Sequence, residues 1–210
     1  MPPPRGGGPQ PDPATKYMRI TGGQAARRIL KVPKGLDVRP TPDLVKQAVF
    51  NSLGARVEGA RVLELFAGSG ALSLECLSRG AAAVLCVEKS HRHAAFIRSN
   101  ADAAGFGGIL EIRTQDVFPV MRQLAESGRQ FDLILADPPY GEKNVNRRST
   151  SFAQQLLDDP SLPGLIAAGG RLVLGHTKRD TLDLVTPWTE VKMLKHGDTV
   201  MRFLEPQPLT

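Results

Sequence analysis

The chain has 210 residues, 41% of them hydrophobic and 23% charged, with a formal net charge of +6 at pH 7. This length and composition fit one well-cored domain with an appendage. No apolar run approaches the roughly 20 residues of a membrane span, and the N-terminus lacks the apolar segment of a signal peptide. We therefore expect a cytoplasmic protein without a membrane partner.

The positive charge is concentrated at the N-terminus. Residues 1–59 contain ten Lys and Arg against four Asp and Glu, whereas residues 60–210 contain 17 of each. This division is expected if an N-terminal appendage binds a polyanion for a neutral catalytic body. The alternative is a solvated basic face, which is the more frequent meaning of a charge run.

The cysteines and histidines give no sign of a metal site. Cys76 and Cys86 fall in a predicted helix and a predicted strand without the spacing of metal ligands, and we expect buried thiols in a reducing compartment. The histidines form no ligand pattern with cysteines or carboxylates, so no metal is predicted. They are His91, His93, His176 and His196.

Three segments are predicted before the main domain. Residues 1–17 contain six prolines and three glycines and are expected to be disordered. Residues 18–32 are expected to form a hairpin of two short strands, which is too small to be stable unless it packs on the main domain or on a partner. The hairpin and the helix after it make a basic extension over residues 18–59.

A helix is predicted after Pro40. Thr41 is the predicted N-cap, Pro42 suits the first helical position, and Asp43 complements the helix dipole. Apolar residues at helical spacing give this helix one buried face. Gly54 is predicted to end it.

From residue 60 onward, strands and helices alternate. Strands are predicted at 61–66, 83–88, 109–114, 131–136 and 170–176, and helices at 70–79, 91–104, 117–127 and 150–158. Such repeated units indicate an α/β fold with a parallel, doubly wound sheet. Segments 190–195 and 199–204 are predicted to form a hairpin, so the last of seven strands should enter the sheet antiparallel.

The first strand of this domain leads into a glycine turn. Gly68 and Gly70 let the backbone turn sharply and let a ligand approach the N-terminus of the next helix. A dinucleotide-binding loop would need a third Gly or Ala where Ser73 stands, and Glu64 would face its pyrophosphate. A cationic ligand without phosphate, such as S-adenosylmethionine, fits this turn better.

Two more acidic residues follow the next two strands. Glu88 is placed to accept both hydroxyls of a ribose, and Asp116 is placed near an adenine amino group. Each of them alone is more often a helix cap. Because the acids stand at the ends of consecutive strands beside one groove, a role in ligand binding is favoured.

The fourth strand ends in a rigid lip at Asp137. Pro138 and Pro139 cannot extend the strand, since each lacks an N–H. Asp137 and the Pro138 carbonyl offer two acceptors to an exocyclic amino group, whose ring can stack on Tyr140 for about 1–3 kcal/mol. The alternative is an ordinary strand-to-turn junction with a capping Asp.

Together these motifs resemble the class I S-adenosylmethionine-dependent methyltransferases that act on an exocyclic or amide nitrogen, which have a Rossmann-like sheet. The motifs are Glu64-Leu-Phe-Ala-Gly-Ser-Gly70, Glu88, Asp116 and Asp137-Pro-Pro-Tyr140. A narrower set resembles the bacterial 16S ribosomal RNA guanine-N2 methyltransferases, the RsmD family. It consists of Arg39-Pro-Thr-x-Asp43, Phe50-Asn51, Phe66-Ala-Gly-Ser-Gly-Ala-Leu72, Leu77-Ser-Arg-Gly-Ala81 and Gly197-Asp-Thr199. The resemblance covers about residues 18–205, with the methyltransferase domain expected at 60–205.

The resemblance implies that a monomer transfers one methyl group to the N2 amine of a guanine in 16S rRNA, within the small ribosomal subunit or its assembly intermediate. The implied catalytic residues are Asp137, Pro138 and Tyr140. The implied cofactor-binding residues are Thr41, Glu64, Phe66, Ala67, Gly68, Ser69, Gly70, Glu88, Asp116 and Val117. The RNA-binding candidates are Arg19, Arg27, Arg28, Lys31, Arg39, Lys143, Arg147 and Arg148.

Two residues depart from the family pattern. His176 stands where a Glu is expected near the end of the fifth strand, and His196 stands where a Tyr commonly precedes Gly-Asp-Thr. The first departure leaves the substrate-side contacts open. Neither affects the cofactor motifs.

Other activities share parts of this pattern. An N6-adenine methyltransferase of DNA or RNA has the same lip but needs a target-recognition segment, and none stands between residues 141 and 169. Protein-glutamine methylation would favour Asn in place of Asp137. A non-catalytic RNA-binding factor in ribosome assembly would not need the acidic residues, and a nicotinamide oxidoreductase is disfavoured by Ser73.

Overall fold

The computed structural model of the protein describes residues 18–31, 41–144 and 147–207. The predictions for the tail at 1–17, for Val32 and for the Arg39-Pro40 entry to the first helix lie outside the described residues.

The described residues contain nine strands, six α-helices and two short 3-10 helices, at Gly54–Val57 and Gly107–Ile109. The strands are β1 Met18–Arg19, β2 Ile29–Leu30, β3 Arg61–Leu65, β4 Ala83–Val87, β5 Leu110–Arg113, β6 Phe131–Ala136, β7 Ile166–Thr177, β8 Trp188–His196 and β9 Thr199–Pro206. The helices are α1 Asp43–Leu53, α2 Ala71–Ser78, α3 His91–Ala104, α4 Val117–Glu126, α5 Phe152–Asp158 and α6 Ser161–Gly164. None of these helices is long and apolar enough to cross a membrane.

The predicted mostly parallel sheet of seven strands is confirmed. Its order is β5-β4-β3-β6-β7-β9-β8, and β9 pairs antiparallel with both β7 and β8. Strands β4 and β5 follow β3 toward one edge of the sheet. The chain then crosses back, and β6 pairs with the other side of β3. The strand order therefore reverses between β3 and β6, which is where open α/β sheets bind their ligands.

The central strands are buried on both faces. Along β6, Leu133 and Leu135 point into the core that contains α1 and α2, whereas Ile134 and Ala136 point into the core that contains α4, α5 and α6. Side chains alternate between the faces of a strand, so a run of apolar residues fits a strand covered on both sides. The predicted buried thiols, Cys76 and Cys86, are both buried and free.

The N-terminal hairpin packs on the main domain through the first of these cores. Met18, Ile20 and Leu30 are almost fully buried against α1 and α2. The Lys46 ammonium is also buried, where it donates to the Arg19 carbonyl oxygen and lies 3.4 Å from the Glu75 carboxylate. The hairpin and α1 therefore share one core with the sheet.

The predicted N-terminus of α1 is wrong in detail. The helix begins at Asp43, and Pro42 occupies the N-cap position, with no side chain capping the helix. Thr41 lies outside the helix, and its hydroxyl forms a hydrogen bond with a distant residue, described below. Gly54 ends the helix at a φ of 55°, as predicted.

Two differences from the prediction lie between β6 and β8. Helix α6 was not predicted, because its Ser-Leu-Pro-Gly sequence after Pro160 has the composition of a turn. Strand β7 begins at Ile166, four residues earlier than predicted, and a register shift against β6 accommodates the extra residues.

Candidate active site

The glycine turn and the proline lip leave the sheet side by side. Leu65 of β3 and Ala136 of β6 are paired neighbours at the carboxyl ends of their strands. The turn after Leu65 and the lip after Ala136 therefore open onto the same edge of the sheet.

Between them lies a cavity of about 500 Å³. Nine of the predicted site residues line this cavity. They are Thr41, Phe66, Gly68, Glu88, Asp116, Val117, Asp137, Pro138 and Tyr140. Its wall is completed by residues that were not predicted, namely Pro42, Lys89, Ser90, His93, Pro139, Phe152 and Thr199.

Glu88 holds the glycine turn in place. One of its carboxylate oxygens accepts from the Gly68 N–H at 2.7 Å, and the other accepts from the Ser90 N–H at 2.8 Å. Phe66, which begins the turn, has a φ of 57°, a backbone conformation that is uncommon outside glycine. The turn is thus fixed by a carboxylate that itself lines the cavity.

Glu64 lies behind the turn and does not line the cavity. Its carboxylate is buried, accepts from the Ser73 N–H at 2.9 Å and accepts from the Ser73 hydroxyl. Burial raises the pKa of Glu64 to about 8, although the bonds from Ser73 oppose this rise. Three other predicted residues, Ala67, Ser69 and Gly70, also lie outside the cavity wall, and the Ser69 hydroxyl contacts the Met18 sulfur.

Asp116 has both of the roles considered for it. Its side chain caps α4 by accepting from the Phe118 N–H at 3.1 Å. The same residue lines the cavity next to Val117. A capping bond uses one lone pair of a carboxylate and leaves others for a ligand.

Aromatic rings form the apolar part of the site. The Phe66 ring centroid lies 6.3 Å from that of Phe118 and 5.4 Å from that of Phe152. Phe152, the first residue of α5, is 39% exposed and presents a ring to the cavity. Phe152 belongs to no motif of the sequence. The loop after the lip separates it from Tyr140, so the two residues do not form one recognisable pattern.

Asp137 has one hydrogen-bonded carboxylate oxygen and one without a partner. Its Oδ2 accepts from the Thr41 hydroxyl at 2.8 Å, whereas its buried Oδ1 has no hydrogen-bond partner among the described residues. Burial raises the pKa of Asp137, and the bond from Thr41 lowers it in part. The carboxylate also lies directly against Gly175 of β7, where a Cβ would overlap Oδ1.

Tyr140 stands at the mouth of the cavity. Its ring is 43% exposed, and its hydroxyl lies 2.9 Å from the Thr199 hydroxyl at the start of β9. Pro138 is buried beside it. The lip is therefore anchored to the terminal hairpin while one aromatic surface remains accessible.

His93 is a second residue that the motifs did not mark. Its Nδ1 lies 3.4 Å from a Glu88 carboxylate oxygen, and its buried Nε2 has no hydrogen-bond partner in the described part of the chain. Together with Asp137 Oδ1, this leaves two buried polar atoms without partners on residues that line one cavity. Buried polar groups normally have hydrogen-bond partners, so these two atoms indicate that the cavity binds a polar ligand.

His176, the first departure from the family pattern, is part of the scaffold. Its Nδ1 lies within 3.0 Å of the Thr177 and Asp180 carbonyl oxygens, so Nδ1 carries the proton. Its Nε2 then accepts from Arg202 at 3.0 Å. Burial and the neighbouring Arg202 lower the pKa of His176, which favours this neutral form. His196, the second departure, is exposed on the turn between β8 and β9.

The predicted RNA-binding cations fall into two groups. In the hairpin group, Arg19 forms an ion pair of 2.6 Å with Asp43, and the Arg28 guanidinium donates to the Ala103 carbonyl oxygen. Arg27 and Lys31 of the same group are exposed. The second group follows the lip and comprises Lys143, Arg147 and Arg148. Arg39 lies outside the described residues.

The cavity therefore combines three kinds of surface. Aromatic and aliphatic side chains suit a flat ring, the carboxylates of Glu88 and Asp116 suit hydroxyl and amino donors, and the unpartnered oxygen of Asp137 suits a further amine. Carboxylates outnumber cations along its wall, so the site favours a neutral or cationic ligand over a phosphate.

The chain is similar to several known proteins. The family model described as conserved hypothetical protein 95 matches residues 18–205. Bacillus subtilis YlbH, named as a proposed rRNA methyltransferase, is 32% identical over 143 residues, which cover 68% of this chain and 78% of that protein. Ribosomal RNA small subunit methyltransferase D of Escherichia coli is 35% identical over 123 residues, which cover 59% of this chain and 60% of that enzyme, less than two thirds of its length.

A solved structure is similar over nearly the whole chain. YhhF of Escherichia coli, titled as a proposed methyltransferase, superimposes with a TM-score of 0.73 at 25% sequence identity. The match covers 92% of this chain and 100% of that one.

Proposed function

Because the chain belongs to the family of conserved hypothetical protein 95, whose model spans residues 18–205, we propose that it methylates 16S ribosomal RNA with S-adenosylmethionine as the methyl donor. The acceptor is the exocyclic N2 amine of a guanine. Relatives named for methylation of small-subunit rRNA support the substrate class. The observation that carries the proposal is that Asp137 and the glycine turn open onto one cavity.

The residues around the turn fit the methyl donor. S-adenosylmethionine, when bound, supplies an activated methyl group on a positively charged sulfur. Glu88 would accept the ribose hydroxyls, Asp116 the adenine amino group, and Val117 and Phe66 would contact the flat ring. The unpartnered Nε2 of His93 adds a polar atom beside Glu88. Glu64, Ala67, Ser69 and Gly70 act behind this surface by shaping the turn.

Asp137 and Pro138 would bind the acceptor amine. The lone pair of a guanine N2 is delocalised into the ring, so this nitrogen is a poor nucleophile. By accepting its two hydrogens, the Asp137 carboxylate and the Pro138 carbonyl favour a more tetrahedral nitrogen and stabilise the positive charge that develops there. Tyr140 would stack on the base, turned out of its helix. The amine becomes strongly acidic on alkylation, and Asp137 is placed to take its proton.

The RNA would contact cations on either side of the cavity. The hairpin provides Arg19, Arg27, Arg28 and Lys31, with Arg39 next to them in sequence, and the loop after the lip provides Lys143, Arg147 and Arg148. We propose that the substrate is the small subunit or an assembly intermediate, and that the protein acts as a monomer in the cytoplasm.

A methyl-transfer assay on small subunits from cells that lack the gene tests this proposal. The wild-type protein should restore one N2-methylguanosine, detected by mass spectrometry of digested rRNA. Asp137→Ala should reduce single-turnover transfer by at least about 100-fold, while calorimetry should find the affinity for S-adenosylmethionine nearly unchanged. N6-methyladenosine as the product would support the alternative acceptor. Cofactor binding without any transfer would support a non-catalytic assembly factor.

A further inference from the structure

The loop between β7 and β8 provides a cationic surface that no motif predicted. We propose that Lys178 and Arg179 of this loop, together with Lys143, Arg147 and Arg148, form a basic groove that binds the backbone phosphates of the RNA strand leading to the methylated nucleotide. This inference rests on the proposed function and deepens it, since it identifies which surface receives the substrate.

The basic groove is an open depression of about 920 Å³. Two loops line it, one after the lip and one after β7. Its lining consists of Lys143, Asn144, Arg147, Arg148, Lys178, Arg179, Thr181 and Asp183. Five of these eight residues are basic and one is acidic, which is the composition of a surface for a polyanion.

A cleft of about 270 Å³ adjoins both the basic groove and the cofactor cavity, since it shares lining residues with each. The cleft shares Pro139, Tyr140 and Phe152 with the cavity. It shares Asn144, Arg147 and Arg148 with the basic groove. A base that stacks on Tyr140 would thus have its own backbone directed toward the groove.

Two side-chain amides hold the β7–β8 loop in position. The Asn144 amide accepts from the Thr181 N–H at 2.8 Å and donates to the Thr181 carbonyl oxygen at 3.0 Å. The Gln154 amide accepts from the Asp183 N–H at 2.8 Å and donates to the Asp183 carbonyl oxygen at 3.1 Å. These paired bonds fix one wall of the groove, so its cations are preorganised for a ligand.

Three cations of the groove are exposed and form ion pairs at the surface, Arg148 with both Asp158 and Asp183. The side chains of Lys178 and Arg179 are 56% and 63% exposed, and both pair with Asp198, at 2.8 Å and 3.8 Å respectively. Arg148, 53% exposed, pairs with Asp158. Exposed ion pairs of this kind contribute little to stability, so a phosphate can replace the carboxylate at small cost.

The hairpin contacts the glycine turn through Met18 and Ser69, but none of its described cations lines the cavity, the cleft or the basic groove. It packs on α2 and on the end of α3, where Gln24 and Arg28 donate to the carbonyl oxygens of Ser78 and Ala103. The basic groove instead adjoins the lip through the cleft. We therefore infer that the groove, and not the hairpin, makes the phosphate contacts nearest to the reacting base.

A double charge reversal, Lys178→Glu with Arg179→Glu, tests the inference. Arg98→Glu with Arg122→Glu is the matched control, because both residues are exposed and the net charge changes equally. The affinity for an rRNA fragment is measured at several salt concentrations. KM and kcat are measured for methyl transfer to small subunits, and calorimetry gives the cofactor affinity. In the test variant the log–log salt slope should decrease by roughly 1.4–1.8, at about 0.7–0.9 per phosphate contact, and KM should rise about tenfold. Cofactor affinity and the control should stay at wild-type values.

Each result has a separate meaning. If the wild-type protein is active and the test variant keeps the wild-type salt slope and KM, the basic groove does not bind the RNA. A reduced slope together with no methyl transfer by the wild type would support the groove and reject the proposed function. Because glutamates beside Asp198 could disturb the turn, Lys178→Gln with Arg179→Gln is tested in parallel and should reduce the slope in the same direction.

Discussion

The Thr41 hydroxyl donates a hydrogen bond of 2.8 Å to Asp137 Oδ2, across 96 positions of the chain. This bond fixes one oxygen of the carboxylate and leaves Oδ1 for another donor. Thr41 is thereby a positioning residue for the proposed chemistry.

Removal of this hydrogen bond should shift the pH dependence of methyl transfer. Burial already raises the pKa of Asp137, and the Thr41 bond opposes that rise by stabilising the charged form. Thr41→Val should therefore raise this pKa further and move the acidic limb of the single-turnover rate to higher pH, because only the carboxylate accepts the amine hydrogens. Thr41→Ser retains the hydroxyl and should keep the wild-type profile. Identical profiles for the Val and Ser variants would contradict this role.

Gly175 should be required for the position of the Asp137 carboxylate. A Cβ at residue 175 would overlap Asp137 Oδ1 and lie 3.0 Å from Asp137 Cγ and 3.2 Å from the Met201 sulfur. Since a side chain moves more easily than a strand, Gly175→Ala should displace the carboxylate and reduce kcat by about 10- to 100-fold. Cofactor affinity should change little. Gly164→Ala, where a Cβ meets nothing within 4 Å, is the control, and equal activity of the two variants would refute the prediction.

Glu64 should make stability depend on pH. Burial raises its pKa to about 8 from an ordinary value of 4.5, so the folded state binds this proton more tightly than the unfolded state. The stabilisation is complete below about pH 4.5 and is lost as the pH rises through about 8. Glu64→Gln does not titrate, so the free energy of unfolding of the wild type should fall relative to the variant over this window, by an amount on the order of a few kcal/mol. Urea unfolding at several pH values measures the free energy of unfolding of both proteins. A difference between them that stays constant with pH would exclude the effect.

Tyr140 should contribute to substrate binding through its ring. Tyr140→Ala removes a stacking surface worth about 1–3 kcal/mol and should raise KM for small subunits by roughly 5- to 100-fold. Tyr140→Phe keeps the ring and removes the hydroxyl that contacts Thr199, so its KM should stay close to the wild-type value. A comparable loss in both variants would assign the effect to the hydroxyl and not to stacking.

Much of this architecture could be predicted because its signals are local. The strands and helices of the main domain follow from periodicity and from glycine and proline positions, which act over a few residues. The cavity could be anticipated because parallel strands end at one edge, so that Glu88, Asp116 and Asp137 had to lie together.

The remaining features depend on contacts between distant segments. Phe152 and His93 join the cavity only through the packing of α5 and α3, and no motif marks them. The sequence did not indicate the cations of the β7–β8 loop, because the charges of residues 60–210 sum to zero. Only the structure shows that some of their basic side chains cluster in space. The exact role of Thr41 likewise required coordinates, because a Thr before Pro-Asp has the sequence pattern of a cap.

The buried ammonium of Lys46 limits how this protein can be dissected. It lies 3.4 Å from Glu75 of α2, and the Thr21 N–H of the hairpin donates to the same carboxylate. A fragment that starts at residue 60 would lose the hairpin and α1, whose buried side chains, among them Ile20, Val49 and Phe50, share one core with α2. It would therefore expose that apolar surface to water. The first quarter of the sequence is thus structurally inseparable from the rest, and a shortened protein is the wrong tool for asking what the hairpin does.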